Sequence, residues 1–201
     1  MKTIVINADP KKSGSTAQLM KCAVKGVESA DSEVEYVDLY DFDLSGCTVC
    51  QICKNDEEIC KCYLKDEVSP LIERILSSDC LLVGAPIFFS YPSSHYLALL
   101  ERLIYCIVSY KTGNKFKGKV NVGLFYTTNY PKKYFEEKIR PHLKKSEDLL
   151  KMLNGDVEIH AFHKISNVER ASASEDKLKS KEEQFKKDLK KVFDICAELS
   201  K

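Results

Sequence analysis

The spacing of apolar residues along the chain switches repeatedly between two periods. Thr3, Ile4, Val5, Ile6 and Asn7 form a short β-branched run closed by Asp9-Pro10, which predicts a buried N-terminal strand. Residues 15–29 place Leu19, Met20, Ala23, Val24 and Val27 at helical spacing, with Ser13 or Ser15 as the candidate N-cap. Residues 33–39 alternate as a strand. Residues 66–77 put Val68, Leu71, Ile72, Ile75 and Leu76 on one helical face behind Asp66 and Glu67, acidic groups that suit the positive end of a helix. Residues 79–85 are a continuous apolar run, the pattern of a strand covered on both faces. A helix over 93–109, a strand over 119–127 and a largely helical 131–153 follow, the last broken or kinked by Pro141. Residues 156–163 alternate like an exposed edge strand. Residues 175–200 form a closing helix with Phe185, Leu189, Val192, Phe193, Cys196 and Leu199 on one face. The polar stretch 171–183 is either a connector or the exposed start of that helix.

Strands alternating with helices predict an α/β protein, a parallel sheet covered on both sides. A chain of 201 residues without repeats or a linker reads as one domain over 1–201, with a cysteine-rich loop at 45–65. Hydrophobic residues make up 44% and charged residues 30%, the balance of a globular chain. Lys and Arg number 31 against 30 Asp and Glu, so no basic excess points to nucleic acid. No apolar run approaches the roughly 18 residues of a membrane span. The apolar stretch at the start is too short for a signal-peptide core, and a cytoplasmic protein is expected.

In open parallel sheets ligands bind beyond the carboxyl ends of the strands. The loops after the first, third and fourth strands are therefore the candidates. The first, Asn7 to Thr16, has the makings of a phosphate cradle. A strand ends and a helix begins, so backbone N–H groups are available to an anion, with Ser13, Ser15, Thr16 and Lys11 or Lys12 beside them. It is neither a Walker A loop nor a dinucleotide fingerprint, and an ordinary capped turn is the plain alternative. The second, Gly84 to Ser94, carries Phe88, Phe89 and Tyr91, whose rings suit stacking on a flat heterocycle unless they are core. The third, Tyr126 to Pro131, is polar and by itself reads only as a turn. A serine hydrolase is excluded by the lack of a Gly-x-Ser-x-Gly elbow. The four histidines have no metal-like spacing with the cysteines, and His160 and His163, three apart on a strand, face opposite sides.

Nine cysteines are present, five of them between Cys47 and Cys62. In a reducing compartment such clustering points to metal or redox chemistry rather than disulfides. Cys47, Cys50 and Cys53 are separated by two-residue spacers that let successive sulfurs converge on a 4Fe–4S cube, and Cys60 or Cys62 can complete the set. Zinc is the rival metal, although Cys60-x-Cys62 is a poor second pair for it. A dithiol redox site or a metal-free loop are the remaining readings. Cys22, Cys80, Cys106 and Cys196 sit on apolar faces and read as small hydrophobes.

Taken together these segments resemble the flavodoxin-like NAD(P)H-dependent FMN reductases, in particular their iron–sulfur flavoprotein branch. The resemblance rests on Ile6 to Thr16, the cysteine loop followed by Asp66-Glu67, Ala85 to Phe89, Leu100 to Leu103, Phe125 to Asn129 and Glu183 to Asp188. It implies a doubly wound five-stranded parallel sheet in the order 2-1-3-4-5 with helices on both faces. It also implies an FMN-dependent oxidoreductase that takes electrons from NADH, NADPH or a protein donor and passes them to an acceptor. The FMN phosphate would lie on Lys11, Ser13, Ser15 and Thr16. The ring would lie along Pro86, Ile87, Phe88, Phe89 and Tyr91, with Thr127, Thr128 and Asn129 on its other side. The cluster ligands would be Cys47, Cys50, Cys53 and Cys60, the last preferred on spacing, with Cys62 as the alternative. The assembly implied is a homodimer or homotetramer. One departure is Asp9, where relatives carry Ser: its carboxylate either turns away, leaving its N–H to the phosphate, or weakens the site. A flavodoxin-type carrier without nicotinamide activity, or a cysteine-based sensor that has lost FMN, are the alternatives.

Overall fold

The computed structural model describes residues 1–163 and 175–200, so part of the polar stretch 171–183 falls outside the described residues. Five long strands, β1 (Lys2–Asn7), β2 (Glu33–Asp38), β3 (Cys80–Phe88), β4 (Val120–Thr128) and β5 (Asn154–His163), pair in parallel in the order β2-β1-β3-β4-β5. That is the flavodoxin-like order expected. Helices α1 (Ser15–Glu28) and α5 (Glu175–Leu199) cover one face; α2 (Val68–Leu76), α3 (Ser94–Ile107) and α4 (Arg140–Leu149) cover the other. The two-residue period of the strands explains the two cores. Ile4, Ile6, Leu81, Val83, Val122 and Leu124 point into one, and Val5, Leu82 and Phe125 into the other. Among the described residues no helix is long and apolar enough to cross a membrane.

Several local expectations change. The N-cap of α1 is Gly14, not Ser13 or Ser15, and no side chain caps the helix. Helix α2 starts at Val68, because Asp66 accepts the N–H groups of Val68 at 3.2 Å and Ser69 at 3.0 Å, holding them as a cap would. Pro141 sits in the first turn of α4, where its missing N–H costs nothing, and a π-helical turn, Phe135–Ile139, precedes it. Strand β3 runs past the expected end at 85 to Phe88, then reverses through Phe89 and Ser90 to pair antiparallel with Tyr91–Pro92. Phe89 and Ser90 hold φ of 49° and 73°, left-handed values that tight hairpins need and that cost non-glycine residues strain. Gly84 lets α1 lie close on β3: a Cβ there would meet Met20 Cγ at 2.6 Å and Thr16 Cγ2 at 3.0 Å. This contact brings the start of α1 to the carboxyl end of β3.

Candidate functional site

The carboxyl ends of β1, β3 and β4 open on one cleft of about 480 Å³. Its walls are Asp9, Pro10, Lys11, Ser13, Gly14, Ser15 and Thr16 from the first loop, Pro86, Ile87 and Phe88 from β3, and Thr127, Thr128 and Asn129 from β4. Eleven of the thirteen flavin-site residues expected from sequence are among them. Phe89 and Tyr91 are outside the lining, on the hairpin, 92% and 57% exposed. Phe88 is 47% exposed, so the hairpin rings are not core.

The first loop is fixed from beneath by Asn7. Its Nδ2 donates to Asp38 Oδ1 at 2.8 Å, and its Oδ1 accepts the N–H of Asp9 at 3.2 Å. Ala8 donates to Gly84 O at 2.8 Å, and the Ser93 hydroxyl donates to Ala8 O at 2.6 Å. The loop is thus tied to β2, β3 and the start of α3. Across the cleft floor, Thr16 and Thr127 share a buried hydroxyl–hydroxyl hydrogen bond of 2.7 Å. Thr128 Oγ1 accepts the Tyr130 N–H at 3.2 Å. Lys11 faces the cleft, whereas Lys12 is ion-paired with Asp41.

Asp9 does not offer its N–H to a ligand, since Asn7 takes it. Its carboxylate turns back along the loop, Oδ1 accepting the Lys11 N–H at 2.8 Å, yet still borders the cleft. Gly14 keeps the cradle open, because a Cβ there would stand 3.0 Å from both Asp9 Oδ2 and Lys11 O. An uncapped helix start, three hydroxyls and one lysine at one end fit a phosphate; the proline, isoleucine and phenylalanine edge opposite threonines fits a ring. The volume lies in the range of small-molecule sites.

A second, smaller hollow of about 20 Å³ lies in the cysteine loop. Cys47, Cys50, Cys53 and Cys62 line it with Arg102, Tyr105 and Cys106. Of the two candidates for the fourth ligand, Cys62 lines the hollow and Cys60 does not. Both cysteines pack against the main core, and Arg102 Nη2 donates to Cys62 Sγ at 3.4 Å. Left-handed φ at Val49 and Gln51, 53° and 59°, lets the short spacers turn their cysteines to one side. Among the described residues no group of three or more Cys, His, Asp or Glu side chains is placed to hold a metal ion. A zinc ion needs its sulfurs about 2.3 Å from one point. A cube binds each cysteine sulfur to its own iron, so its four ligands stand further apart than those of a single ion.

Cations hold this loop in place. Arg102 is fully buried and bidentate to Asp66, Nη1 to Oδ2 at 2.7 Å and Nη2 to Oδ1 at 2.9 Å, with Ser69 Oγ at 2.9 Å. The guanidinium holds the Asp66 carboxyl below its usual range. Lys115 Nζ donates to Cys53 O at 2.6 Å and Asp56 O at 2.7 Å. Lys54 Nζ donates to Tyr105 O and, at 2.7 Å, to Val108 O. Burial pushes the Cys53 thiol up, and Lys54 and Lys115 pull it back. Burial also pushes the Cys106 thiol up to about 12. The sequence reading missed Arg102, Lys115 and Lys54. The signal for Arg102 was a charge inside an apolar helical face, Leu99 to Ile104; neither lysine had one.

The sequence model of the family described as NADPH-dependent FMN reductase matches residues 1–164. An iron-sulfur flavoprotein of Methanocaldococcus jannaschii is 28% identical over 123 residues, 61% of this chain and 62% of that protein. An iron-sulfur flavoprotein of Archaeoglobus fulgidus is 26% identical over 102 residues, 51% of this chain and 48% of that protein. The matched stretch thus spans about half to somewhat under two thirds of these relatives' length. The NAD(P)H:quinone oxidoreductase from Methanothermobacter marburgensis superposes with a TM-score of 0.77 at 14% identity, over 100% of this chain and 98% of that one. At that identity the likeness is one of fold.

Proposed function

As this chain belongs to the NADPH-dependent FMN reductase family, we propose that it is an NAD(P)H-dependent flavin oxidoreductase. The observation that carries the reading is the cleft, which brings the start of α1, with its hydroxyls and Lys11, together with the edge of Pro86, Ile87 and Phe88 where three parallel strands stop. FMN held there would supply the hydride and single-electron chemistry of a flavin. The N-terminus of α1, with Lys11, Ser13, Ser15 and Thr16, binds the phosphate. Pro86, Ile87 and Phe88 hold the ring from one side and Thr127, Thr128 and Asn129 from the other. The protein needs no acid or base of its own for such a transfer. Phe89 and Tyr91 stand at the mouth, where they contact the incoming donor or acceptor or a second copy in a homodimer or homotetramer. The reaction belongs in the cytoplasm, where reduced nicotinamides are kept.

The test is direct. Titration with FMN should give a bound yellow flavin, and the loaded protein should oxidise NADH or NADPH with an artificial acceptor. A protein that stays colourless and apo with FMN overturns the reading. Bound flavin without nicotinamide oxidation leaves an electron carrier instead.

We further propose that Cys47, Cys50, Cys53 and Cys62 hold a 4Fe–4S cluster. Support comes from four free cysteines around one hollow and the iron-sulfur names of the relatives. Anaerobic reconstitution with iron and sulfide should give four irons per chain; no uptake overturns it.

A further inference from the structure

Three cations reach the cysteine loop, and they differ in what balances them. Arg102 has Asp66. Lys115 is buried, 4% exposed, and Lys54 half-buried, yet both donate only to backbone carbonyls. Neither pairs with a carboxylate among the described residues. A buried ammonium facing neutral carbonyls is costly to desolvate, and a neutral amide or hydroxyl would staple the same carbonyls without that cost. The unmatched charge therefore points to an anion nearby. Lys115 Nζ grips the carbonyl of Cys53, a hollow-lining cysteine. Lys54 Nζ lies 4.1 Å from the ring centroid of Tyr105, which also lines the hollow.

We propose that Lys54 and Lys115 are charge-tuning residues, two ammonium groups without carboxylate partners that raise the reduction potential of the cluster held by the cysteine loop. The proposal rests on the cluster reading above. Reduction adds one electron, from reduced flavin or a chemical titrant, to a group already made negative by its thiolates. No bond is broken and no proton need move. The added negative charge is stabilised by every fixed positive charge nearby, and more strongly in a low-dielectric surrounding than in water. Because the lysines hold backbone carbonyls rather than sulfurs, their charge can be varied without removing a ligand.

The experiment is a potentiometric titration of the reconstituted holoprotein, followed by its electron paramagnetic resonance signal, for wild type and for Lys115→Met, Lys115→Arg, Lys54→Met and Lys54→Arg. Each methionine variant should shift the one-electron equilibrium about tenfold toward the oxidised form, a fall of about 59 mV, at wild-type iron content. Each arginine variant should stay close to wild type. Loss of the cluster in a methionine variant but not in its arginine counterpart also supports the proposal, since charge and not shape then decides. Equal shifts or equal losses in the methionine and arginine variants overturn it, leaving the lysines as staples. Wild-type potentials in all four variants overturn it as well. Wild-type protein that takes up no iron and sulfide overturns the cluster reading itself, an outcome visible before any variant is made.

Discussion

The cleft and the cysteine hollow are built in opposite ways. The cleft is made by the ends of regular elements: β1, β3 and β4 stop side by side, α1 starts between them, and its polar groups are main-chain atoms and short side chains on those ends. The hollow is made by an irregular loop that depends on residues far away in sequence, Arg102 on α3 and Lys115 beyond it. A site made of element ends inherits the stability of the sheet. A site made of a loop carries its own stability, set by a few buried cations. Perturbations of the loop should therefore disable the hollow and spare the cleft.

The largest effect expected is all-or-none. Cys62→Ser should abolish iron uptake, whereas Cys60→Ser should leave iron content close to wild type, because only Cys62 lines the hollow. Iron and sulfide analysis after reconstitution reads both, and FMN binding in both should match wild type. Iron retained in Cys62→Ser and lost in Cys60→Ser would mean that the loop rearranges around its metal.

Next comes Arg102, whose side chain is 0% exposed and whose guanidinium serves Asp66, Ser69 and Cys62 together. Removing one partner of a buried pair typically costs about 3–5 kcal/mol. Arg102→Ala should lose about 3 kcal/mol in urea unfolding, since Asp66 keeps some contact with water. The pair also predicts a pH dependence. Asp66 is held below its ordinary value of 3.8, chiefly by its hydrogen bonds to Arg102. Its contribution is complete above that value and is lost as pH falls through the lower folded value. Asp66→Asn should therefore flatten the acid limb of the stability curve below about pH 4 and leave its neutral shape unchanged.

The contrast also explains what could be read from residues alone. The β-branched run at 3–7, the apolar run from 79 and the alternation near 120 state their faces by period, so the strands and the loops beyond them could be read from residues, while the strand order came from the family resemblance. The hairpin is less legible, because nothing at Phe89 and Ser90 resembles the Asn-Gly of a tight turn, and the apolar run alone ends strand β3 at 85 rather than Phe88. The fourth cysteine was legible only as a choice between Cys60 and Cys62. Spacing favoured Cys60, but Cys62 faces the hollow through a long-range contact to Arg102. Lys115 gave no local hint, since its partners are carbonyls 62 and 59 positions earlier.

Smaller effects belong to the cleft. Thr16→Val should leave the Thr127 hydroxyl buried without its 2.7 Å partner, at a cost of about 1–3 kcal/mol in stability. Because both threonines line the cleft, FMN affinity should fall as well, while iron content stays constant. A Thr16→Val protein that loses its cluster and keeps its flavin would reverse the proposed independence of the two sites.

The smallest effect, and the only one expected to improve a site, concerns Asp9. Its Oδ1 is needed to accept the Lys11 N–H, but its charge is not. Asp9→Asn keeps an acceptor at that position and removes a negative charge from the border of the phosphate end. Two unit charges about 4 Å apart in water interact by about 1 kcal/mol, so FMN should bind roughly fivefold tighter in the variant at low salt. The gain should shrink as salt rises, since the loop is exposed to solvent. Riboflavin, which has the ring and no phosphate, should bind wild type and variant alike. If riboflavin gains as much as FMN, Asp9 acts on the shape of the loop rather than on the phosphate. The carboxylate would then be part of the loop's architecture and not a tolerated repulsion.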